Sequence, residues 1–86
     1  MTSRYRVVVE RRAEKELDRL PDVIGERIIN VLLTLEENPR PFGNKKLVGM
    51  NGYRVRQGQY RILYTVDDAE RVVHVFRIAH RREAYR

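Results

Sequence analysis

The 86-residue chain contains no cysteine, so disulfides and thiolate metal sites are excluded. Its two histidines, His74 and His80, stand among scattered carboxylates without ligand spacing, and neither a metal nor another cofactor is expected. No apolar run approaches the roughly 18 residues that a membrane span needs. Nor does a signal peptide precede the first apolar segment, so a cytoplasmic protein with no membrane partner is expected. Proline is scarce as well: Pro21, Pro39 and Pro41 fall at helix ends or in a loop.

What the chain has in quantity is positive charge. Eighteen Lys and Arg against 12 acidic residues give a net charge of +6, which favours nucleic acid or an acidic protein as partner. A basic surface with no such partner is the plain alternative. Hydrophobic residues make up 42% of the chain, enough for one helix layer on one sheet. A chain of this length buries roughly 60–65% of its unfolded surface. Residues 1–86 are therefore read as one domain.

Residues 4–10 are short and β-branched, a strand pattern. From Arg11 to Leu20 the period becomes helical, with Ala13, Leu17 and Leu20 at i, i+4 and i+7. Pro21 ends that helix, and its fixed φ suits the start of the next. There Ile24, Ile28, Val31, Leu32 and Leu35 form one apolar stripe, which Ile29 and Leu33 widen. Asn38-Pro39 closes it, because a residue before proline is pushed out of the helical region. Residues 38–52, rich in Gly and Pro and carrying Lys45 and Lys46, read as a loop. Three strands follow, at about 53–57, 60–66 and 71–78. The expected fold class is α+β: order β-α-α-β-β-β, a two-helix hairpin on a mainly antiparallel four-stranded sheet.

Gly58-Gln59 has glycine at the first central position, as a two-residue type II′ turn prefers. Counting outward from it pairs Gln57 with Tyr60, Arg56 with Arg61, Val55 with Ile62 and Tyr53 with Tyr64. Because side chains alternate, Tyr53, Val55, Tyr60, Ile62, Tyr64 and Val66 share an apolar face, and Arg54, Arg56 and Arg61 share the other. Arg56 and Arg61 are then like charges directly across a strand pair, which normally destabilises a sheet. A bound anion between them accounts for the arrangement; two splayed, solvated side chains are the alternative. Continued through the next turn, the count puts Val72, His74, Phe76 and Ile78 on the Arg61 face. Arg81 leaves the end of that strand, and Tyr85 follows one turn later over a pocket ringed by Arg54, Arg56, Arg61 and Arg81. Phe76 stacks a base there or, with Leu63, packs beneath the tail.

Several segments taken in order resemble the RelE/ParE toxin superfamily of bacterial toxin–antitoxin systems, and within it the RelE-like mRNA endonucleases. They are Ala13–Pro21, the second helix, Leu47–Gly49, Gly-Gln-Tyr-Arg-Ile-Leu-Tyr at 58–64 and Ile-Ala-His-Arg-Arg-Glu-Ala-Tyr-Arg at 78–86. The resemblance implies a toxin that cuts mRNA on the 70S ribosome by attack of a 2′-hydroxyl on the adjacent phosphate. It also implies a cognate antitoxin, expected to be acidic, that holds the toxin inactive. The family's strand arginine matches Arg61, its post-strand arginine Arg81 and its C-terminal tyrosine Tyr85. Where well-known members carry lysines on the second strand, this chain has Arg54 and Arg56, which cannot accept a proton.

Arg61 and Arg81 suit the stabilisation of charge developing on phosphorus. A phenol with a pKa near 10 is ionised in only about one molecule in a thousand at neutral pH. Neighbouring arginines raise that fraction for Tyr85. His80 has the intrinsic pKa for acid–base work and is otherwise a scaffold residue at the strand exit; mid-strand His74 reads as a core histidine. Lys45 and Lys46, with Arg11, Arg12 and Lys15, are expected to meet RNA phosphates, and Glu83 to pair with an arginine. Two competing functions are a ParE-like gyrase poison, whose branch usually lacks the full arginine and tyrosine set, and a non-catalytic RNA-binding module.

Overall fold

The computed structural model describes residues 4–83, so the expectation for Tyr85 falls outside the described residues. The elements are β1 (Arg6–Val9), α1 (Arg11–Asp18), α2 (Asp22–Glu37), β2 (Lys45–Lys46), β3 (Tyr53–Gln57), β4 (Tyr60–Asp67) and β5 (Val72–His80). They form a sheet of order β1-β5-β4-β3-β2 against which the two helices pack, with β1 parallel to β5 and every other pair antiparallel. The sheet has five strands rather than the expected four. Lys45 and Lys46, read from the sequence as loop, pair with Arg54 and Tyr53 and add a two-residue edge. A two-residue strand in a Gly- and Pro-rich segment has no period by which to announce itself.

Pro21 caps α2 from outside with φ −56°, and its carbonyl accepts the Gly25 N–H at 2.9 Å. The apolar stripe of α2 works as its spacing predicts: Ile28, Leu32 and Leu35 are buried against Ile62, Tyr64, Val73, Val75 and Ile78. Ile29 and Leu33, by contrast, face solvent. At the other end, the buried Tyr64 hydroxyl donates to the Pro39 carbonyl at 2.7 Å, which anchors the chain as it leaves α2. Burial, the main cause, pushes this phenol up to about 12, and it stays a donor throughout the neutral range.

The β3–β4 hairpin has the register that counting from Gly58-Gln59 gives, Tyr53↔Tyr64 through Gln57↔Tyr60, and Gly58 carries φ +60°. The β4–β5 pairing departs from the count. A bulge at Leu63/Tyr64 pairs Leu63 with Arg77 and Tyr64 with Val75, so Phe76 is the extra residue. One inserted residue inverts the alternation beyond it. Ile78 therefore lies with Ile62 in the core, not on the Arg61 face, and Arg77 and Ala79 take that face instead. Nor is His74 a core histidine: it is partly exposed, with Nδ1 4.0 Å from a Glu10 carboxylate oxygen.

The face of the sheet away from the helices is also partly covered. Leu47 and Leu63 are buried outside the helix-side core. The turn leading into β3 closes over them, with the Leu47 N–H donating to the Gly52 carbonyl at 2.9 Å. Phe76 packs beneath this turn, its ring edge 3.6 Å from where a Cβ on Gly52 would stand. Of the two readings of Phe76, packing is the one that the contacts support, under this turn rather than under the tail.

Candidate functional site

Strand register alone puts Lys45, Arg54, Arg56 and Arg61 on one face: Lys45 opposes Arg54 across β2–β3, and Arg56 opposes Arg61 across β3–β4. Among the described residues, two hollows lie along it. A small one of about 60 Å³ is lined by Arg56, Gly58, Gln59, Tyr60, Arg61 and Arg81. A larger one, about 330 Å³, is lined by Lys45, Lys46, Leu47, Val48 and Arg54. The structure thus gathers three of the named arginines in one cavity, while Arg54 joins the lysines in the other. Among the described residues, no acidic side chain lines either. A third hollow, in the α1–α2 hairpin, has the opposite character, with Asp18, Asp22 and Glu26 around Leu17, Leu20 and Ile29.

Backbone contacts fix the third arginine. The Arg81 N–H donates to the Gln59 carbonyl at 2.7 Å, tying the exit of β5 to the β3–β4 turn. Gly58 and Gln59 therefore position one arginine from each of three places: the end of β3, the start of β4 and the residue after β5. Two steps on, the Glu83 N–H returns to the His80 carbonyl at 2.8 Å and closes a turn over 81–83. Among the described residues Glu83 is met through its carbonyl, which accepts from Arg77 Nη2 at 3.2 Å, and not through the expected carboxylate contact.

His80 lies elsewhere. It pairs with Tyr60 across β4–β5 and meets that ring edge-on at 5.6 Å, while its Nδ1 accepts the Arg82 N–H at 3.3 Å. It does not line the arginine cavity.

Two further groups matter that no sequence motif marks. Arg77 is buried and shares Glu16 with the backbone: Nε donates to one carboxylate oxygen at 2.9 Å, and the Ile78 N–H donates to the other at 2.8 Å. An arginine flanked directly by Phe76 and Ile78 was the available signal. Arg40, between two prolines, donates through both terminal nitrogens to Asp68, at 2.8 and 3.1 Å, and through Nε to the Tyr53 hydroxyl at 3.1 Å. The Tyr5 hydroxyl donates to the same carboxylate at 2.6 Å. Hydrogen bonds first from Arg40 and then from Tyr5 hold Asp68 down to about 2, and the same carboxylate raises the Tyr5 phenol. This cluster ties the α2–β2 loop to the β4–β5 turn. It lies apart from the arginine cavity and supports the sheet rather than a reaction.

No helix among the described residues is long and apolar enough to cross a membrane.

Known proteins agree on what the frame is. The family described as the ParE toxin of the type II toxin–antitoxin system parDE matches residues 7–85. The toxin RelE of Mycobacterium tuberculosis is 31% identical over 84 residues, covering 95% of this chain and 87% of that one. Among solved structures, the RelE–RelB complex of Pyrococcus horikoshii superposes with a TM-score of 0.81 at 32% identity, over 98% of this chain and 100% of its counterpart. The intact RelBE toxin–antitoxin complex of Escherichia coli gives 0.78 at 32% identity, over 88% and 95%. With the helix pair, the sheet order and the sequence match in agreement, the chain belongs to the RelE/ParE toxin superfamily and is a type II toxin–antitoxin toxin of the RelE family.

Proposed function

We propose that the protein is an endoribonuclease that cuts mRNA on the ribosome in the cytoplasm, and that a cognate acidic antitoxin silences it. The observation that carries this reading is the cavity shared by Arg56, Arg61 and Arg81. That hollow, about 60 Å³ and lined by the three arginines, suits the oxygens of a phosphate group. Three guanidinium groups around such a space bind an oxyanion in planar forks and oppose the charge that builds on phosphorus.

Cleavage proceeds by attack of the 2′-hydroxyl oxygen on the adjacent phosphorus while the bond from phosphorus to the 5′-oxygen breaks. A 2′,3′-cyclic phosphate remains on one fragment. The proton lost by the 2′-hydroxyl is balanced by one gained on the departing 5′-oxygen. The arginines take no part in that exchange, since guanidinium does not deprotonate in proteins. Arg61 and Arg81 hold the phosphate, Arg56 adds charge at the cavity mouth, and proton transfer is assigned to Tyr85. His80, outside the cavity lining, is left as the scaffold of the strand exit. Lys45, Lys46 and Arg54, around the larger hollow, take flanking phosphates.

The test is incubation of purified protein with mRNA-programmed ribosomes. Fragments ending in a 2′,3′-cyclic phosphate are expected. The match to the ParE toxin description supports a second reading, a gyrase poison. Intact mRNA together with trapped gyrase–DNA complexes would establish that reading in place of the nuclease.

A further inference from the structure

The geometry points to the pair formed by buried Arg77 and part-buried Glu16 as the positioning element of Arg81. This rests on the nuclease reading only for the consequence in cleavage, not for the structural tie.

The sheet creates the need. β1 pairs with β5 only from Val72 to Val75, so Phe76–His80 runs on past the end of β1. That stretch carries the chain to Arg81, and its outer backbone groups face α1 in place of a strand. Glu16 meets them, accepting the Ile78 N–H at 2.8 Å and Arg77 Nε at 2.9 Å. Arg77 in turn spans from Glu16 to the Glu83 carbonyl at 3.2 Å. The turn at 81–83 is thereby held twice: by Arg81 N–H on Gln59 at its start and by Arg77 at its end. Between the two holds, the Arg81 side chain reaches the cavity of Arg56 and Arg61.

Stability alone is a poor reason for this pair. The Arg77 side chain is only 9% exposed and that of Glu16 20%, so both charges are largely desolvated. Burying an ion pair commonly stabilises no more than an apolar pair of the same volume would. The cross-strand partner of Arg77 is Leu63, a neighbour an aliphatic residue would fit. What an aliphatic residue lacks is a planar fork reaching a carboxylate on α1 and a carbonyl in the turn together. Lysine, with one terminal nitrogen, has no such fork either.

The experiment compares Arg77→Lys and Glu16→Gln with wild type, and with Ile28→Val as a core control elsewhere. Hydrogen exchange is followed at the Glu83 amide, and single-turnover cleavage on programmed ribosomes is measured in parallel. Loss of a charged hydrogen bond should speed exchange at Glu83 about tenfold or more in Arg77→Lys and less in Glu16→Gln, which keeps an acceptor for Ile78. Ile28→Val, acting through global stability, should leave this locally opening amide within about twofold. The maximal cleavage rate of Arg77→Lys should fall with its half-saturating concentration unchanged, and adding Arg77→Lys to Arg81→Ala should cause no further loss. Unchanged exchange at Glu83, or losses that multiply in the double variant, would overturn the proposal. If wild type cleaves nothing, the nuclease reading falls, and the exchange comparison alone decides the role of Arg77.

Discussion

Arg56 and Arg61 face each other as a register pair across the β3–β4 hairpin, and both line the cavity that Arg81 closes. Like charges in a cross-strand pair commonly destabilise the hairpin that carries them. Arg56→Gln should therefore raise stability in urea by about 0.5 kcal/mol at low salt. The gain should shrink as ionic strength rises and screens the repulsion. Arg61→Ala should lower single-turnover mRNA cleavage about 100-fold. A variant at Arg56 that loses stability at low salt would show that the pair does not repel.

The Asp68 cluster makes a pH-dependent contribution whose sign is set by its shift. Hydrogen bonds from Arg40 and Tyr5 lower the Asp68 carboxyl to about 2, below its unfolded value, so the folded state favours the ionised form. The stabilisation is present above the unfolded pKa and is lost as pH falls through about 2. Asp68→Asn should lower the urea midpoint at pH 6 and change it little below pH 2. Equal loss at both pH values would mean that shape, not charge, holds the cluster.

Lys45 and Lys46 are assigned phosphates rather than chemistry, which separates two measurements. In the double alanine variant, binding of a noncleavable 2′-deoxy message on ribosomes should weaken. The salt dependence of its log affinity should flatten by about 1 for each phosphate that a lysine no longer neutralises. The maximal cleavage rate should stay near wild type. A fall in that rate with unchanged salt dependence would move the lysines into the reacting centre.

Hairpin register was legible because Gly58 fixes a two-residue turn and the alternation on both sides is unbroken. The opposition of Arg56 and Arg61 followed from arithmetic alone. The same arithmetic misplaced Ile78, because the bulge at Leu63/Tyr64 shifts the register by one residue and no glycine or proline in Val72–Ile78 marks it. The partner of Arg77 is illegible for a related reason: nothing local indicates that Glu16, 61 positions earlier, accepts from it. Long-range partners are fixed by topology, and here by the early end of β1 beside β5. His80 falls on the other face from Arg61, since it pairs with Tyr60 rather than with the arginine beside it.

Two glycines flank β3 with positive φ, yet they answer different needs. Gly58 has φ +60° and nothing within 4 Å of a built Cβ, so it supplies backbone conformation alone. Gly52 has φ +143°, and a Cβ there would stand 2.9 Å from the Tyr64 carbonyl oxygen and 3.2 Å from Leu47 Cδ1. Gly58→Ala should cost about 1–2 kcal/mol, the left-handed penalty, and Gly58→Asn less, since asparagine tolerates that conformation. Gly52→Ala combines conformational strain of about 1–3 kcal/mol with a clash against backbone that cannot turn aside. Asparagine should give no relief there, because φ +143° lies outside the left-handed basin. Displacing Gly52 also releases the Leu47 N–H from its carbonyl, so the turn beside Lys45 and Lys46 should loosen and RNA affinity fall with stability. Urea midpoints for the four variants decide the matter: Gly52→Asn recovering as well as Gly58→Asn would mean that the turn has room to spare over Tyr64.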